Sequence, residues 1–114
     1  MPALVPVELA SAIEALVGDL AAGRFDAVEN SGKAGRLTAD ELSRALAEYG
    51  RTLVPLPPDW QRFAERYEVR STDMVAIDVT LWTAEEGRSD LTLQIEARRD
   101  GEDWSLAISD LRVL

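Results

Sequence analysis

The sequence predicts an α+β fold: two N-terminal helices plus a short third helix packed on one face of a three- to four-stranded antiparallel meander. Three observations carry this. Met74 to Thr83, Asp90 to Arg98 and Trp104 to Leu114 each alternate apolar with polar residues, the period of a strand with one buried face. Glycine-bearing turns separate these segments, at Glu85-Glu86-Gly87 and Asp100-Gly101. Upstream, apolar residues recur at helical spacing between recognisable start and stop signals. A chain of 114 residues fits a single domain, with a helical part at about 1–67 and a sheet at about 68–114.

Leu9, Ile13, Leu16, Val17 and Leu20 form one helical stripe, Pro6 suits the first turn and Gly23 is a stop. The first helix is therefore expected from Val7 to Ala22. Phe25 and Val28 add a short turn docked on the core, and Asn30 to Arg36 has the composition of a mobile loop. Its two glycines and Lys33 do not make a phosphate loop, because no strand precedes them and the Gly-Lys-Ser/Thr ending is missing.

Thr38 and Glu41 form a capping box for the second helix, with Leu37 placed to staple onto Leu42. Leu42, Ala45, Leu46 and Tyr49 make its apolar stripe, and Gly50 ends it. Arg51 to Val54 is extended and can add a short strand. Pro55, Pro57 and Pro58 then impose a stiff connector. Asp59 is positioned to cap a short helix containing Trp60, Phe63 and Tyr67, and Tyr67 to Thr72 could supply a fourth strand.

Turn chemistry sets the expected register of the sheet. A type I′ turn at Asp100-Gly101 puts Arg99 opposite Glu102, with Ala97, Ile95 and Leu93 opposite Trp104, Leu106 and Ile108. Apolar parity in the last strand then switches from Ile108 to Leu111 and Val113, which places a β-bulge near Ser109 and Asp110. In the first hairpin, Leu81 opposite Leu91 leaves Glu85, Glu86 and Gly87 as the loop. The inward face holds Val75, Ile77, Val79 and Leu81. Asp78, Thr80, Trp82, Thr92, Gln94, Glu96, Ser105 and Ala107 face outward.

Composition narrows the chemistry. The chain contains no cysteine and no histidine, which removes disulfides, Cys/His zinc sites, catalytic thiols and the commonest general base. No cofactor and no metal is expected. A net charge of -9 repels phosphate backbones and anionic bilayers, so neither nucleic acid nor membrane is an expected partner. It would attract a cationic protein surface, although acidity also simply keeps a protein soluble. Glu8, Glu14 and Asp19 interrupt the first apolar run, and no basic residue precedes Arg24, so the reading is cytoplasmic. Lys33 is the only lysine beside many arginines, a bias that codon usage in a GC-rich bacterial genome would explain without invoking a binding surface.

Three constellations are candidates for function. The first is the charged hairpin tip Glu85, Glu86, Arg88 and Asp90 beside Trp82, read either as a solvated turn or as a protein-contact site. Its paired carboxylates could also hold a hard cation. The second is the outward row Asp78, Thr80, Thr92, Gln94 and Glu96, which would line a pocket if the sheet curled. Asp78 would there need burial to act as a base near neutral pH. The third is the aromatic set Trp60, Phe63, Tyr67, Trp82 and Trp104. Trp104 has core parity, Trp60 and Phe63 would clamp the short helix on the sheet, and only Trp82 looks out of place.

Leu81-Trp82-Thr83-Ala84-Glu85-Glu86-Gly87-Arg88-Ser89-Asp90-Leu91, Glu48-Tyr49-Gly50-Arg51-Thr52-Leu53-Val54-Pro55 and Ile108-Ser109-Asp110-Leu111-Arg112-Val113-Leu114 together resemble an uncharacterised family of small bacterial domains of unknown function. The resemblance covers most of the chain beyond Leu37 and implies no activity. Two helices followed by a meander are also loosely similar to cystatin-like and nuclear-transport-factor-like cones, which is fold analogy alone. The leading functional reading is a non-enzymatic interaction or accessory domain that meets a basic protein through Trp82 and the hairpin tip, for example as an immunity-type protein. The alternatives are a small-molecule or enzymatic pocket around Asp78, and a homodimer through the polar face or a sheet edge.

Overall fold

The computed structural model describes residues 5–68, 73–101 and 103–113. Helices α1 (Val7–Ala21), α2 (Phe25–Asn30) and α3 (Ala39–Tyr49) precede strand β1 (Leu53–Val54), a 3₁₀ turn at Trp60–Phe63 and strands β2 (Glu65–Glu68), β3 (Met74–Thr83), β4 (Gly87–Asp100) and β5 (Asp103–Val113). All the strand pairings are antiparallel, and β3-β4-β5 is the expected meander. Both β1 and β2 pair with the other side of β3, at its end and its beginning respectively. The sheet therefore starts earlier in the chain than the boundary near residue 68.

The inward face is apolar except near the hairpin tip, where Thr83 and Ser89 are buried. Ile77, Val79, Leu81, Leu93, Ile95 and Ala97 are wholly buried, with Val75, Leu91, Leu106 and Ile108 close behind. Against them lies the α1 stripe of Leu9, Ile13, Leu16, Val17 and Leu20. Each buried Leu or Ile contributes roughly 1.5–3 kcal/mol relative to exposure. Among the described residues, no helix is long and apolar enough to cross a membrane.

Local signals upstream hold. Thr38 Oγ1 accepts the Glu41 N–H at 3.1 Å while Glu41 Oε1 accepts the Thr38 N–H at 3.1 Å, completing the capping box. Gly50 closes α3 in the left-handed conformation. Of the α3 stripe, Leu42 is fully buried, whereas Ala45, Leu46 and Tyr49 are half-buried.

The segment expected to be a mobile loop is docked instead. Lys33 O accepts the Ile108 N–H at 2.8 Å, Ala34 is buried, and Gly35 lies against the Ile108 carbonyl so closely that a Cβ there would stand 2.4 Å from its oxygen. Composition marks this segment as irregular, but β5 is an edge strand and this segment covers its middle. Two residues further on, Asp110 Oδ1 accepts the Leu111 N–H at 2.9 Å, occupying a second donor of that strand.

The short third helix differs from expectation. It is a 3₁₀ turn that ends at Phe63, and Ala64 is already extended. Tyr67 lies in β2 opposite Ala76 and is exposed, because pairing with the open edge of β3 outweighs the local helical pattern. Asp59 makes no side-chain cap; its carboxylate stands 3.9 Å from Arg62. Nor does the turn lie on one face. Trp60 is buried and donates through Nε1 to Glu14 Oε2 on α1 at 2.7 Å, while Phe63 meets Trp82 of the outer face. The turn thus straddles the sheet edge. The β2 strand realises the expected fourth strand as far as Glu68; residues 69–72 lie outside the described residues.

The last hairpin is shifted by two residues from the expected register. Asp100 pairs with Asp103, Ala97 with Leu106 and Ile95 with Ile108, so Gly101 rather than Asp100 opens the turn, with φ +65°. The partner foreseen for Arg99, Glu102, lies outside the described residues; Arg99 pairs with Trp104. A shift of two preserves parity, so apolar patterning alone cannot distinguish the registers. The observed one lets apolar pairs continue to the end, Leu93 with Leu111 and Leu91 with Val113. The bulge falls where expected: Ser109 is unpaired between Ile108 and Asp110, and its hydroxyl donates to Gln94 O at 3.2 Å.

In the first hairpin the expected register runs from Met74 opposite Arg98 to Thr80 opposite Thr92, then breaks. Trp82 pairs with Arg88 and Thr83 with Gly87, so the loop is Ala84 to Glu86. The break is bridged by buried Ser89, which donates to Leu81 O at 2.8 Å and accepts the Leu91 N–H at 3.1 Å. A side chain here replaces ladder bonds that the extra residues of β4 would forfeit.

Two substitutions test these contacts by urea unfolding. Thr38→Ala should cost about 1 kcal/mol; an unchanged midpoint would mean that the box contributes nothing. Gly35→Ala should cost about 2 kcal/mol or more, against about 1 for Gly32→Ala, which shares the left-handed backbone in open space. Equal losses would show that the Ile108 carbonyl is no obstacle.

Candidate functional site

Most of the candidate residues gather at the β3–β4 hairpin, where the tip is stitched to the α3–β1 junction. Thr52 presents its backbone N–H to Glu85 Oε1 and its hydroxyl to Glu85 Oε2, both at 2.8 Å. The Thr52 carbonyl accepts the Ala84 N–H at 2.8 Å. Next to it, Tyr49 donates its hydroxyl to Glu86 Oε1 at 2.8 Å, and Thr83 Oγ1 lies 3.1 Å from both the Glu86 carboxylate and the Glu86 N–H. Pairing of Leu53 with Thr83 and Val54 with Trp82 continues the seam. Both carboxylates are thus structural partners as well as surface charges, a role that a freely solvated turn would not give them.

Electrostatics follow the geometry. The Thr52 backbone amide and then its hydroxyl hold the Glu85 carboxyl below the usual glutamate range, with Arg51 adding a smaller contribution. Desolvation, followed by the hydrogen bond to Glu86, raises the Tyr49 phenol above its ordinary value, while the Ser89 side chain and the Asp90 backbone act in the opposite sense.

Trp82 is half-buried. Phe63 packs edge-on against it, with ring centroids 5.7 Å apart, and the Arg88 guanidinium lies 4.5 Å from the Phe63 ring centre. The tryptophan is therefore partly roofed rather than a bare apolar anchor. Arg88 and Asp90 are exposed. Asp78 stands four residues away from Trp82 on β3, roughly 13 Å along the strand, so the fold does not bring it to the tip. It accepts a hydrogen bond from Gln94 Nε2 at 3.0 Å, while Thr80 Oγ1 donates to Phe63 O at 3.2 Å. Among the described residues, no group of three or more Asp and Glu side chains is arranged to hold a metal ion.

No pattern within Glu48 to Pro55 announces that this segment grips the hairpin tip. The available signals were Gly50, which redirects the chain out of α3, and Thr52, whose hydroxyl and amide together suit one carboxylate. Phe63, expected to clamp the short helix on the sheet, does so on the outer face, against Trp82.

This arrangement defines an acidic α+β domain with a one-sided antiparallel sheet and a hairpin clasped to the helix–strand junction. A family model described as "Domain of unknown function (DUF7668)" matches residues 17–114, and the chain belongs to that family. No curated protein and no solved structure matches the chain. The three segments that carry the sequence resemblance are neighbours in space: Tyr49 touches Glu86, Thr52 touches Glu85, and Leu91 pairs with Val113.

The clasp has a pH signature. Because the folded-state pKa of Glu85 is lowered, its contribution is fully present above the ordinary value of 4.5 and is lost as pH falls from there through the lowered value. Thermal melts of Glu85→Gln should lose less stability than wild type over that acid range; parallel pH profiles would show that the clasp does not form.

Proposed function

We propose that this is a non-enzymatic interaction or accessory domain whose acidic corner, Glu85, Glu86 and Asp90 with Trp82 and Arg88 beside it, receives a protein with a basic surface. The observation that carries the reading is the clasp itself. Two carboxylates at a hairpin tip would ordinarily sample many rotamers, and here Thr52 and Tyr49 hold them in place, so less conformational entropy is lost when a cation binds. The net charge of -9 would raise the association rate with a cationic partner. An immunity-type protein that masks a basic toxin is the concrete version of this role, in a bacterial cytoplasm.

A ligand or reaction pocket around Asp78 draws less support, since Asp78 stands four residues from Trp82, roughly 13 Å along β3, apart from the other candidate residues at the tip. Homodimerisation through the β5 edge would have to displace Lys33 from Ile108.

Affinity capture from the native host tests the proposal. The wild-type chain should retain one stoichiometric partner of basic pI that is released by roughly 0.5 M salt, where screening leaves only short-range contacts, and Asp90→Lys should lose most of it. No stoichiometric partner, or one indifferent to both salt and Asp90→Lys, would sink the reading.

A further inference from the structure

The inward apolar face runs past its helical cover at one corner. Beyond Leu91, which is buried, Leu111 is half-buried and Val113 is 59% exposed. With Ala45, Glu48 and Tyr49 of α3 and with Arg112, these residues line an open groove of about 300 Å³ between α3 and the ends of β4 and β5, at the small end of the ligand-site range. Its lining is mixed, with Ala45, Leu91, Leu111 and Val113 as the apolar part, and one of its walls is the helix that ends at the clasp.

Charge favours one kind of occupant. Glu48 lines the groove, and the carboxylate of Glu86 sits at the hydroxyl of Tyr49, another lining residue. The lining guanidinium, Arg112, is 3.7 Å from Asp110, and Arg51 acts on Glu85. The lining itself carries one carboxylate and one guanidinium; with Arg112 drawn to Asp110, Glu48 and the neighbouring Glu86 are the carboxylates left to meet a cation. Strand addition is disfavoured on this side, because the Leu111 N–H is already taken by Asp110, so recognition here would work through side chains.

We infer that this groove seats a segment of a partner protein in which an apolar side chain is flanked by lysine or arginine. The apolar side chain enters between Ala45, Leu111 and Val113, and the flanking cations meet Glu48 and Glu86. The inference deepens, and rests on, the reading of the domain as a receiver of basic proteins.

The probe is a peptide of about ten residues alternating leucine with lysine, titrated into the isotopically labelled chain and followed by amide chemical shifts, with an alternating leucine and glutamate peptide as control. Shifts should concentrate at Ala45, Glu48, Leu111 and Val113 with the lysine peptide alone, and weaken with salt. Val113→Asn and Glu48→Lys, both at exposed positions, should each weaken binding about tenfold. Equal response to both peptides, or none, would overturn the groove. Shifts confined to Glu85 and Asp90 would also overturn it, while leaving the acidic-corner reading intact. Failure to find a basic partner in the host would sink the parent reading even if the peptide bound. Sedimentation showing a dimer sensitive to Val113→Asn would assign the groove to a second copy instead.

Discussion

A three-stranded meander with one apolar face is unstable in water until that face is covered, and this constraint organises the whole molecule. The α1 stripe supplies the main cover, packing Leu9, Ile13, Leu16, Val17 and Leu20 over the inward rows of β3, β4 and β5. Everything else is fitted around that contact. Trp60 extends it, buried beneath α1 and tied to Glu14. The opposite face remains polar and half-open, as antiparallel sheets allow, with Phe63 over Trp82 as a roof.

Satisfying the backbone at the margins of that sheet explains the polar side chains that matter most. Where β4 carries extra residues, Ser89 completes the bonds; where β5 bulges, Ser109 does so. At the tip, Glu85 and Glu86 serve the junction below them, and at the open edge Lys33 and Asp110 occupy donors of β5. These are local hydrogen bonds of modest net worth, about 1 kcal/mol each. Their structural effect is larger, because together they settle which groups at the rim are free to meet another molecule.

What could be read from the sequence follows the same division. The inward rows, the capping box at Thr38 and Glu41, the stop at Gly50 and the bulge at Ser109 were legible, because each follows from periodicity or from one residue's stereochemistry. The two-residue shift of the last hairpin was not, since parity is blind to it. Tyr67 was open to two readings, as the end of the short helix or the start of a fourth strand, and only its pairing with Ala76 on β3 decides for the strand. The docking of Lys33 to Gly35 on Ile108 and of Thr52 on Glu85 escaped because side-chain and loop contacts between remote segments leave no periodic trace. Of the candidate site, the residues were named, but their mutual engagement was not.

The helix that covers the sheet lies early in the chain, and the strands it covers come late. Synthesis therefore exposes the α1 stripe well before β3 to β5 exist to receive it, and the last strand to emerge, β5, is one that α1 touches directly. Contacts so far apart in sequence slow folding through the entropy of closing long loops. During that interval the stripe is a free amphipathic surface, open to chaperones or to other nascent chains. Glu8 and Glu14 on the same helix give that emerging surface a negative charge, and Glu14 takes its place beside Trp60 only once the chain has folded around it.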